Sequence, residues 1–248
     1  MPRTPLISHI YTADPSAHVF EGKVYVYPSH DLDLEVEEND LGDQYQMTDY
    51  HVLSLDTPLG PAKDHGEALH IRDVPWASRQ MWAPDAAYRN GQYYLYFPAR
   101  DKEDIFRIGV ARSNRPEGPF LPEQNPIKGS FSIDPCVLPD DDGEFYMYFG
   151  GLWGGQLQAW ATGTFVRDAK TPPDEAPALC PKVARLTADM LQFATEPRDV
   201  VILDESDGTK DPSRGRYLES GDPALFSDST LAGWGHPTLP IGGTQNPF

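Results

Sequence analysis

Three aspartates recur at one place in a repeated phrase. They are Asp14, Asp85 and Asp134, each beside a proline, in Ala13-Asp14-Pro15, Pro84-Asp85 and Ile133-Asp134-Pro135. Cleavage of a glycosidic bond uses two carboxyl groups, one taking a proton from water and the other donating a proton to the leaving oxygen. They stand roughly 6.5 to 9.5 Å apart when configuration inverts. Converging aspartates of this kind fit that task, and the same Asp-Pro pairs also read as Asx turns at strand ends, the preferred reading for Asp85. Trp76, Trp82 and Trp153 offer flat apolar ring faces that match the axial hydrogens of a pyranose, and equally suit a core. The seven histidines make no HxxxH or HxH pair, so no metal centre is expected. There is no Gly-rich phosphate loop and no GxSxG elbow.

A short apolar strand, a tight turn and an aromatic strand come directly after each aspartate and must hold it in place. Glu21-Gly22, Asn90-Gly91 and Asp142-Gly143 stand at the turns, flanked by alternating β-branched and aromatic residues, so each unit is a β-hairpin. Its recurrence at intervals of roughly 50 to 70 residues indicates a radial repeat, a β-propeller, in which the innermost strand of each blade brings its Asp to one funnel. Further strands are expected at 50–55, 105–112, 157–162 and 196–203. Residues 31–43 carry seven carboxylates. Val36 stands where a calcium-binding EF-hand needs Gly, so a solvated acidic loop is expected there. From 204 to 248 no alternating run of strand length appears.

The formal net charge is −18, which disfavours phosphate backbones and anionic lipid surfaces, so neither nucleic acid nor membrane is expected as a partner. Cys136 and Cys180 give no disulfide framework and are expected as unpaired thiols. No signal-like apolar segment opens the sequence and no stretch is long and apolar enough to span a bilayer, so a cytoplasmic location is expected. One all-β domain over 1–248 is the expected organisation, with 204–248 as an atypical tail.

Several motifs in order resemble glycoside hydrolase family 43, in particular its β-xylosidases and α-L-arabinofuranosidases. They are Thr12-Ala13-Asp14-Pro15-Ser16-Ala17-His18, Pro28-Ser29-His30-Asp31, Val74-Pro75-Trp76-Ala77, Trp82-Ala83-Pro84-Asp85, Ser132-Ile133-Asp134-Pro135 and the glycine-rich run around Trp153. The resemblance implies a five-bladed propeller, of which about three to four blades are encoded, as in a truncated or frame-shifted member. It implies an inverting, exo-acting removal of β-xylose or α-L-arabinofuranose from plant cell-wall oligosaccharides. By the same resemblance Asp14 is the general base, Asp134 the residue that orients the acid and raises its pKa, and Glu219, in Arg216-Tyr217-Leu218-Glu219, the candidate general acid. Trp76, Trp82, Trp153 and His30 are the candidate sugar contacts, and a calcium ion near the axis is allowed although no cofactor is required. The competing reading is a non-catalytic sugar-binding or inactive remnant.

Overall fold

The repeated phrases form the leading hairpins of three antiparallel sheets in the computed structural model, which describes residues 5–173, 179–203 and 216–217. The first sheet runs in order through β1 (Tyr11–Phe20), β2 (Lys23–Asp31), β3 (Asp49–Leu55) and β4 (Lys63–His70). The second contains β5 (Ala77–Arg79), β6 (Asp85–Arg89), β7 (Gln92–Asp101), β8 (Phe106–Ser113) and β9 (Leu121–Pro122). Its β7 is long enough to pair with β6 along its first half and with β5 at its end. The third sheet follows β10 (Cys136–Pro139), β11 (Phe145–Phe149), β12 (Lys182–Arg185) and β13 (Arg198–Asp199). A two-stranded ribbon joins β14 (Ile202–Leu203) to β15 (Arg216–Tyr217). The chain is therefore all-β, with three propeller-type sheets and one further ribbon among the described residues.

The hairpins form where their turn chemistry permits. Glu21 and Gly22 (φ 52° and 76°) and Asn90 and Gly91 (φ 52° and 83°) both place two successive residues in the left-handed region, as the tight hairpin turn that matches strand twist requires. Two strand expectations need correction. Residues 157–162 do not form a strand: Leu157–Trp160 is a 3-10 helix, because left-handed Gln156 (φ 64°) reverses the chain and its side chain is held by Phe106 N and Asp104 O. β12 takes the place beside β11 instead. The expected strand at 196–203 is split between β13 and β14, with Val200 N donating to Pro181 O in the gap.

The continuous apolar run of β7 explains the layering. Tyr93, Leu95 and Phe97 pack toward the first sheet with Tyr25, Tyr27, Tyr50 and Val52. Tyr94 and Tyr96, on the opposite face, pack with Val137, Met147 and Phe149 of the third. A strand buried on both faces has no polar side to alternate, which is why the sequence there reads as one hydrophobic block. The leading strand β6 lies between β1 and β10. Among the described residues no helix is long and apolar enough to cross a membrane.

Candidate functional site

Asp14 and Asp134 open onto one cavity of about 650 Å³, lined also by the 39–45 loop, by Trp82 and by the 152–155 turn. The local backbone presents both carboxylates in the same way. A bulge interrupts the β1–β2 register between Ala13 and Ser16, and Asp14 takes φ 45° there. Ser132 and Asp134 take φ 62° and 58° just before β10. A left-handed non-glycine residue costs on the order of 1–3 kcal/mol and persists only where neighbours over-determine it. Here Ser29 Oγ donates to Ala13 O at 3.0 Å, and Ser132 Oγ donates to Gly155 O at 2.7 Å while accepting from Gly151 N at 2.9 Å. Gly151 and Gly155 are required by close approach, since a Cβ on either would come within 2.7 Å of the Ile133 side chain. Gly151 and Gly155 thus seat Ile133, the residue beside Asp134.

Burial first, and then the charge of Asp14, push the Asp134 carboxyl up from 3.8 to about 6. Protein atoms crowd it on most sides while its side chain stays open to the cavity, so solvent moderates this effect. The negative charge of Asp14 thus reaches Asp134 in the shared pocket.

Asp85 is placed differently. It is buried within β6, where Oδ1 lies 2.6 Å from His18 Nε2 and Oδ2 accepts from Val137 N at 2.6 Å. It therefore ties β1, β6 and β10 together across three sheets, and a cross-sheet tether replaces the expected Asx turn. Both oxygens are engaged away from the cavity.

The four candidate sugar contacts separate. Trp82 lines the cavity, its ring 4.7 Å from that of Phe106 and its Nε1 donating to Tyr45 O at 2.9 Å. Trp153 also lines it and is 60% exposed. Trp76 lies in the core, stacked on Phe97 at 5.9 Å, and is not part of the cavity wall. His30 also stands outside that wall, with Nδ1 3.0 Å from Asp49 Oδ2. Glu219 lies outside the described residues.

Two contributors to the site were not read from sequence. The acidic stretch expected to be a solvated loop supplies Asn39, Asp40 and Gly42 to the cavity, joined by Gln44 and Tyr45 directly after it. It is held by Gln80 Nε2 donating to Gly42 O at 2.6 Å and by the Arg79–Asp43 ion pair at 2.7 Å. Arg100, buried at the end of β7, donates from Nη2 to Leu41 O at 3.0 Å and Gly154 O at 3.4 Å, clamping two walls together. An arginine next to the end of a hydrophobic strand was the available signal, since such a residue is rarely buried unless it is paired.

The described groups where the leading strands meet, His18 and Asp85, do not fit a calcium ion, which takes about six to eight oxygens. His18 Nε2 and both Asp85 oxygens are already engaged, with one another and with Val137 N.

Hairpin-led sheets with paired aspartates and tryptophan at a shared pocket define a propeller with a carboxylate site. The chain belongs to the glycosyl hydrolases of family 43, whose model matches residues 12–177. It is 62% identical over 207 residues to xylosidase/arabinosidase 43A of Humicola insolens, covering 80% of this chain and 63% of that protein. It is 52% identical to a xylosidase/arabinosidase of Bacteroides ovatus, covering 88% of this chain and 65% of the relative. The chain thus spans just under two thirds of the length of these relatives. Among solved structures, it resembles a family 43 β-xylosidase/α-arabinofuranosidase from a compost microbial metagenome, in complex with xylotriose and in calcium-free form. The TM-score is 0.82 at 58% identity, covering 87% of this chain and 67% of that one. A Xanthomonas citri family 43 enzyme complexed with xylose matches with a TM-score of 0.76 at 56% identity, covering 83% of this chain and 60% of that one.

Proposed function

We propose that this pocket serves an inverting, exo-acting glycosidase that removes β-xylose or α-L-arabinofuranose from the ends of plant cell-wall oligosaccharides. The observation that carries the reading is the pair Asp14 and Asp134, both in left-handed backbone, both facing one cavity and electrostatically coupled. In this reading Asp14 takes the proton from the attacking water. Asp134 orients the acid and, by its negative charge, helps it keep its proton until the leaving oxygen needs it. Glu219 is proposed as that acid. Trp82 and Trp153 supply ring surface against the sugar, and the likeness to structures holding xylose and xylotriose supports a pentose in the cavity.

The test is hydrolysis of an aryl β-xyloside and an aryl α-arabinofuranoside, with the first-formed sugar followed by NMR. The expected outcome is α-xylose from the β-xyloside, with kcat/KM about 10²- to 10⁴-fold lower in Asp14→Asn. Turnover no greater than that of the Asp14→Asn control overturns the hydrolase reading, and saturable xylotriose binding in that case supports the sugar-binding alternative.

A further inference from the structure

We propose that His30, Asp49 and His51 form a binding site for one divalent first-row transition ion of the zinc type, separate from the carboxylate pocket. All three lie on the face of the first sheet turned away from the second. Val26, Leu53 and Leu55 mark that face by clustering apart from the core that Tyr25, Tyr27, Tyr50 and Val52 share with the second sheet. His30 shares the parity of Val26 on β2, and Asp49 and His51 share that of Leu53 on β3, so the alternation of the strands brings the three together.

The geometry is that of a ligand set. Asp49 Oδ2 lies 3.0 Å from His30 Nδ1 and 3.5 Å from His51 Nε2, and the three ligand atoms all fall within 4.8 Å of one another. Ligand atoms at zinc distances around a tetrahedral ion stand roughly 3.3 Å apart. Both Asp49 oxygens face His30 Nδ1, Oδ1 at 3.1 Å and Oδ2 at 3.0 Å, and Thr48 Oγ1 donates to Oδ1 at 3.3 Å, which helps hold the carboxylate in place. Two imidazoles and one carboxylate suit zinc-like ions and are a poor set for calcium.

A second layer supports the first. The other ring nitrogen of His51, Nδ1, lies 3.0 Å from both oxygens of Asp64. Asp64 in turn accepts from Gly66 N at 2.7 Å and lies 2.7 Å from His9 Nε2. A carboxylate behind a histidine, itself fixed by further hydrogen bonds, sets the ring tautomer so that the opposite nitrogen can bind metal.

The placement gives the ion a structural consequence. His30 is the last but one residue of β2 and Asp49 opens β3, so one ion would pin both ends of the loop that brings Asn39, Gly42 and Tyr45 to the cavity.

Isothermal titration of chelator-stripped protein with zinc chloride tests the site, with calcium chloride as comparison. One equivalent of zinc is expected to bind and calcium is not, with binding lost in His51→Gln and His30→Asn and weakened roughly 10- to 100-fold in Asp64→Asn. No zinc binding, or binding unchanged in both histidine variants, overturns the proposal and leaves a hydrogen-bonded chain only. If the variants do not fold, anomalous scattering at the zinc edge from crystals of the unsubstituted protein decides. A peak between His30 and His51 supports the site, and a peak elsewhere or none overturns it.

Discussion

An ionised Asp134 beside Asp14 is costly in a way that depends on pH. Its carboxyl is raised from 3.8 to about 6, first by burial and then by the charge of Asp14. Between those values the folded protein holds a proton that the unfolded chain has released, so this contribution to stability is greatest below about pH 4 and is lost as pH rises through about 6. Asp134→Asn cannot ionise. The variant is expected to melt at a higher temperature than the parent at pH 7, with the difference shrinking toward pH 4, measured by circular dichroism at both pH values. A difference of the same size at both would show that Asp134 is not strained by its charge. Asp85, alike in sequence, is instead fixed by His18 and Val137, which occupy its oxygens.

At the scale of elements, the core behind the site depends on close packing between neighbouring strands of one sheet. β8 contributes Gly109 where Trp76, just before β5, lies over Phe97 of β7. A Cβ at that position would stand 2.6 Å from the Trp76 ring and 2.7 Å from the Phe97 ring, both confined in the core. Gly109→Ala is therefore expected to destabilise the protein by about 1–3 kcal/mol through overpacking. Urea unfolding measures this, and a midpoint equal to the parent's would mean that the rings move aside without cost. The same packing removes Trp76 from the sugar contacts. Its motif places it close to Trp82 in the sequence, yet only the Trp82 ring, wedged against the 39–45 loop, faces the cavity.

Across the whole molecule, burial is uneven. Leu95, Tyr96 and Phe97 of β7 are inaccessible to solvent, being covered from both sides. In β1, by contrast, Tyr11 and Val19 are 67% and 71% exposed. Opening free energy follows such differences in covering. Amides of β7 and β8 are expected to exchange most slowly with deuterium and those of β1 among the fastest of the paired strands, as read by hydrogen-exchange mass spectrometry. Equal protection in the two regions would indicate that the sheets open together as one unit.

The hairpins, their turn residues, the all-β class and the recurrence of Asp beside Pro were all legible in the sequence, because side-chain alternation and positive-φ turns are local properties. Asp14 and Asp134 could be named for the same reason, as members of a repeated local phrase. The three-dimensional structure alone decided which face each side chain meets. It turned Asp85 into a tether, put Trp76 in the core, bent 157–160 into a helix and drew an acidic loop over the pocket through Arg100 and Gln80. Those outcomes rest on partners distant in the chain, such as Gly42 for Gln80, 38 residues away, and Leu41 for Arg100, 59 residues away, and local pattern carries no record of which distant surface a strand will meet.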